Sequence, residues 1–145
     1  MTKKNMDVAQ FNAKRFSEER AFHPTAPAPE SVLLDGITLT VISSAVGDAH
    51  QIGKKIAGEY ANYNLSGHRT GTVDIAALDR VESLEVDLAC AVLVGYEGIQ
   101  EGGKTIEYSE QNKRRLMREH KWMRNQIIKK ADEEAFFYKS EQSNS

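Results

Sequence analysis

From Val46 to Tyr63, apolar residues recur every three or four positions, at Val46, Ala49, Ile52, Ile56, Tyr60 and Tyr63, the spacing of one helical face. Ser43 or Ser44 stands where an N-cap belongs. A stronger pattern runs from Thr72 or Asp74 to about Val94. There Ile75, Leu78, Val81, Leu84, Leu88, Ala91 and Val92 form a stripe opposite Asp79, Arg80, Glu82, Ser83 and Glu85. Its second half, LACAVLV, has no polar side, so it must be covered from several directions and is expected to be the central helix. Ser109 offers a cap for a helix reaching about Glu119. A closing helix from Lys121 to Phe137 is expected to turn Trp122, Met123, Ile127, Ile128, Ala131, Ala135 and Phe136 inward.

Other stretches follow a different period. SVLLDGITLTVI, Ser31 to Ile42, holds two short β-prone runs around Asp35-Gly36, a pair suited to the positive φ angles of a tight turn, and predicts a β-hairpin. Gly102-Gly103 can turn a second short two-stranded element after Gly95 and Gly98 end the central helix. The stretch NLSGHRTGT reads as a loop by composition. Pro24, Pro27 and Pro29 remove amide donors and force extended neighbours, so no helix crosses them. Before them, Val8, Phe11, Phe16 and Phe22 lie among charges in a weakly helical spacing, expected to be a short peripheral helix.

The expected fold class is therefore mainly α, a small helical domain with an N-terminal β-hairpin. Its organisation is an arm over residues 1–30 with a short helix and a proline-rich joint, a helical domain over 31–137, and a polar, flexible tail over 138–145. Length supports this: 145 residues make one ordinary domain, and 40% hydrophobic with 28% charged residues is a composition that can bury a core.

Net charge is −2, so no summed positive field draws the chain to nucleic acid or anionic lipid. The longest strongly apolar run, Leu88 to Val94, is far short of the roughly 20 residues of a membrane span. No secretion signal is visible, since Asp7, Gln10, Asn12 and Lys14 interrupt the N-terminus. One cysteine, Cys90, cannot pair internally, which fits a reducing compartment, and its place in the apolar run marks a core residue whose thiol burial keeps protonated.

No catalytic, cofactor-binding or metal-ligating set assembles. His23, His50, His68 and His120 are scattered, without a second ligand at metal-binding spacing. GIQEGGKT, Gly98 to Thr105, matches the letters of a phosphate-binding loop. Such a loop follows a buried strand and opens a helix, whereas here a helix precedes and Ile106, Glu107 and Tyr108 alternate like a strand. An enzyme is not expected. Charge is more informative: Asp74, Asp79, Glu82, Glu85, Asp87, Glu97 and Glu101 make the central helix and its exit acidic, while Lys113, Arg114, Arg115, Arg118, Lys121, Arg124, Lys129 and Lys130 make the following stretch basic. That stretch is a solvated face, a partner for the acidic helix within the molecule or between copies, or, least favoured, a nucleic-acid surface with Trp122, Tyr108 and Phe137 stacking bases.

From Ala91 to Phe137 the order of features resembles the tail assembly chaperones of long-tailed bacteriophages. An apolar run ends in VGYEGI, a glycine turn carries a lysine in EGGKTIEYSEQN, and a helix leads to KWMRNQIIKKADEEAFF. Tyr96 stands where that family commonly has tryptophan. The hairpin and first helix, Val32 to Tyr63, are compatible with it too. The resemblance implies a non-catalytic helper in the host cytoplasm that binds the tape measure and tail tube proteins during virion morphogenesis, with self-association compatible with that role. The alternatives are a structural virion protein of the head-tail or tail region and a nucleic-acid-binding accessory protein. Candidate partner-binding residues are Phe11, Phe16 and Phe22 on the arm, and Arg114, Arg115, Arg118, Trp122 and Arg124 on the basic stretch.

Overall fold

A computed structural model of the chain describes residues 18–45, 47–70, 75–133 and 137, with the backbone alone for 63–70. It is mainly α. In chain order the elements are β1 (Arg20–Phe22), β2 (Thr38–Val41), α1 (Gly47–Thr70), α2 (Ile75–Val92), β3 (Leu93–Glu97), β4 (Gln100–Glu101), β5 (Lys104–Thr105), α3 (Glu110–Glu119) and α4 (Lys121–Asp132). The expected arm helix up to residue 17 and the tail over 138–145 lie outside the described residues.

An N-terminal hairpin forms as expected, but β2 pairs with β1 and not with the run at 31–34. β2 is the middle strand of an antiparallel sheet of order β1-β2-β3. Its partners are Arg20–Phe22, which the sequence placed at the end of a helix, and Leu93–Glu97, which it divided between the end of the central helix and the glycine-rich exit. The first predicted run, Val32 to Leu34, folds back on the proline segment instead. The amide of Ala26 donates to the Val32 carbonyl and that of Leu34 to the Pro24 carbonyl, each at 2.8 Å, around a turn holding a cis Ala28-Pro29 bond. The chain does turn at Asp35-Gly36, with the Ile37 amide donating to the Leu34 carbonyl at 3.1 Å, but neither residue takes the expected positive φ, and strand partners are chosen by burial. Thr38, Leu39, Thr40 and Val41 alternate with period two, and Leu39 and Val41 are fully buried.

Central position of α2 holds: it packs on α1, α3, α4 and β3. Its buried side is Ala77, Val81, Val86, Leu88, Ala89 and Val92, so the stripe is rotated from the predicted one. Ile75 and Leu78, expected inside, are 69% and 41% exposed. The helix stops at Val92 because β2 needs a partner: Thr38, Leu39 and Thr40 face Glu97, Tyr96 and Gly95, and a bulge shifts the register before Val41 meets Leu93. Gly98 has φ +84°, and a Cβ there would lie 1.9 Å from the Gly36 carbonyl oxygen, so the chain can pass only as glycine.

Helix α1 runs further than predicted, through NLSGHR to Thr70. One glycine in a formed helix costs about 1 kcal/mol, too little to end it. Ser43 accepts a hydrogen bond from the Ala45 amide and Ser44 bonds the end of α4 at Ala131 and Asp132, so both serve the turn before α1. Only residues 71–74 join α1 to α2, which makes the two helices antiparallel neighbours.

The glycine turn is as expected: Gly102 and Gly103, φ +56° and +80°, link β4 and β5. Ser109 caps α3, its Oγ accepting from the Asn112 amide at 3.0 Å. His120 forms the elbow to α4, whose buried residues are Met123, Arg124, Ile127 and Ala131. Trp122 and Ile128 are half-buried against the core, α4 ends at Asp132, and Phe137 is fully buried. Ala135 and Phe136 lie outside the described residues.

Candidate functional site

The opposite charges of α2 and the later helices meet inside the molecule. Arg114 of α3 donates to Asp87 of α2 at 2.8 Å, and Arg124 of α4 reaches Glu82 at 3.5 Å. Arg115 grips Glu101 of β4 at 2.5 Å and Glu119 at 2.9 Å. Of the three readings of the basic stretch, intramolecular pairing describes these arginines. Arg114 and Arg115 remain about half and one-third exposed, so their pairs contribute little individually and serve mainly to orient the helices.

Two cations of that stretch are buried. Arg124 is 1% exposed and donates to the Met117 carbonyl at 2.9 Å, tying α4 to the end of α3. Lys113 is 4% exposed, and its ammonium donates to the Leu93 carbonyl at 2.9 Å while lying over the Tyr108 ring. It thus fills the junction where α2 passes into β3. Nothing in the sequence separated these two from their exposed neighbours, because a 3.6-residue period in a strongly basic helix does not say which cation faces inward. Arg118, by contrast, is exposed and lines the groove between α2 and α3 with Asp79, Glu82 and Asp87.

Glu101, Glu119 and His120 bring one ligand atom each within 4.8 Å of the others. His120 Nε2 lies 3.2 Å from Glu101. Hydrogen bonds from Arg115 and then His120 hold the Glu101 carboxyl down at about 2. Arg115 already supplies both carboxylates with the positive charge a metal ion would bring, so the cluster reads as an ion-pair clasp between the β4–β5 hairpin and the α3–α4 elbow.

The GIQEGGKT segment is that hairpin. Gly98 to Thr105 joins two antiparallel strands and opens no helix, and Lys104 and Thr105 are exposed. It has no row of helix N-terminal amides to cradle a phosphate. Cys90 is half-buried, and burial raises its thiol above the usual range.

Of the arm residues, Phe22 lies on β1 with the Lys130 ammonium 5.9 Å from its ring, while Phe11 and Phe16 fall outside the described residues. Apolar side chains line further grooves among the described residues. Tyr60, Ile56 and Ala57 of α1 face Leu88 of α2 and Ile128 of α4 across a groove of about 520 Å³. Between α1 and α2 a second groove is lined by Gly58, Glu59, Arg80 and Leu84, and elsewhere on α2 Ile75 and Leu78 are exposed. Arg80 and Glu59 bridge the two helices there at 3.0 Å. No helix among the described residues is long and apolar enough to cross a membrane.

A protein-family model described as YdaY prophage protein matches residues 51–145. No curated protein and no solved structure matches the chain.

Proposed function

Because the chain belongs to the YdaY prophage protein family, and so is phage-derived, we propose that it is a tail assembly chaperone, a non-catalytic protein that binds the tape measure and tail tube proteins in the host cytoplasm while the virion is built. The observation that carries this reading is the exposure of Ile75 and Leu78 on the first turns of α2, the helix that packs on α1. Large apolar side chains left in water on a helix that also carries Asp79 and Arg80 have the composition of a transient protein contact, with apolar anchors for desolvation energy and charges of both signs to reject wrong partners. The resemblance between Ala91 and Phe137 supports the same reading, since its motifs fall on consecutive elements from β3 to α4. Internal pairing of Arg114, Arg115 and Arg124 weighs against a nucleic-acid role for the basic stretch.

The test is affinity purification of the tagged full chain from cells producing the phage. Tail tube and tape measure proteins are expected with it, and Ile75→Glu combined with Leu78→Glu should reduce their recovery at least tenfold without unfolding the chain. Recovery of the protein in purified particles would make it a virion component instead. Binding to DNA that falls steeply with salt would favour the nucleic-acid reading.

A further inference from the structure

We propose that the groove between α2 and α3 seats a second copy of this chain, through a two-fold contact in which Asp79 of each copy pairs with Arg118 of the other. The groove, about 520 Å³, has Asp79, Glu82, Ser83 and Val86 of α2 on one wall and Arg114 and Arg118 of α3 on the other. Arg114 lies beside Asp87, while Arg118 shares the groove with Asp79 and Glu82, so α3 runs antiparallel to α2.

Two observations select the occupant. The first is which charges are already held inside the molecule. Asp87 is taken by Arg114 and Glu82 by Arg124, whereas Asp79 and Arg118, both exposed, have no ion pair among the described residues. An unpaired acid and an unpaired base on opposite walls of one groove are self-complementary. Turned by half a revolution about an axis through the groove, a copy brings its Arg118 to Asp79 and its Asp79 to Arg118, so one symmetric contact satisfies all four groups. A foreign partner would have to supply both signs in the reverse order, and a copy already carries them. The second observation is the apolar end of the same helix face. Ile75, Leu78, Asp79, Glu82 and Val86 follow the three- and four-residue spacing of one face of α2, and Ile75 and Leu78 are 69% and 41% exposed. Exposed ion pairs contribute little affinity and serve to set the register, while desolvation of these two side chains drives the association. A tail protein docking on Ile75 and Leu78 competes with the copy; that consequence rests on the function proposed above, and the contact itself does not.

The test uses the purified full chain alone, by sedimentation equilibrium. The parent is expected to be dimeric at about 100 µM. Asp79→Arg and Arg118→Asp, each made separately, set like charges against each other twice across the two-fold and should raise the dissociation constant at least about tenfold, with the circular dichroism of the folded chain unchanged. Ile75→Ser combined with Leu78→Ser leaves every charge in place and should weaken the dimer to a similar extent. An equimolar mixture of the two charge variants restores opposite signs at both contacts, so it should form a heterodimer as tight as the parent dimer, a result that damage to either fold could not produce. A parent that stays monomeric, variants that dimerise like the parent, or a mixture no tighter than its separate components would each overturn the proposal.

Discussion

Lys113 shows how a charged side chain can be a structural part. Its ammonium satisfies the Leu93 carbonyl at a fully buried junction, with the Tyr108 hydroxyl 3.3 Å away and Glu110 at 3.2 Å. Lys113→Met keeps the stem but orphans that carbonyl, and a loss of roughly 1–3 kcal/mol is expected in urea unfolding. An equal change at exposed Arg118 should stay within about 0.5 kcal/mol. Glu101 sets a pH dependence. Its folded value, about 2, lies below the ordinary 4.5, so the stabilisation it contributes is complete above pH 4.5 and disappears as pH falls toward 2. The difference in melting temperature between the parent and Glu101→Gln should therefore be constant from pH 5 to 7 and shrink on acidification to pH 2. A difference that grew in acid would contradict the clasp. Gly98→Ala, which meets both a positive φ and the Gly36 carbonyl, is expected to cost on the order of 3 kcal/mol by the same unfolding measurement.

Elements divide by how local their causes are. The α3 start was legible because Ser109 acts on an amide three residues away, and Ser109→Ala should cost about 1 kcal/mol, read as a lower urea midpoint at unchanged m-value. The Gly102-Gly103 turn was legible for the same reason. β1 and β3 were not. Arg20–Phe22 and Leu93–Glu97 become strands because each completes a row of hydrogen bonds on β2, and that row is invisible within a window around either segment. The extension of α1 through Gly67 shows the converse, a run of loop-like composition that inherits helix from the turns before it.

At the scale of the whole molecule, the mainly α class and the central place of α2 followed from the apolar run LACAVLV, which has to be wrapped by neighbours. The electrostatic half of the candidate site was legible as two blocks of opposite sign. Which cation met which anion was not, since Arg124–Glu82 and Arg114–Asp87 span 42 and 27 residues.

Arg20 also donates from its guanidinium to the Phe137 carbonyl at 3.4 Å. Two residues 117 positions apart along the chain are therefore held side by side. Linking the sequence after Phe137 to the sequence before Arg20 and opening the chain between Gly102 and Gly103 should yield a circular permutant with the same architecture, in which a fluorophore or tag sits at the β4–β5 corner.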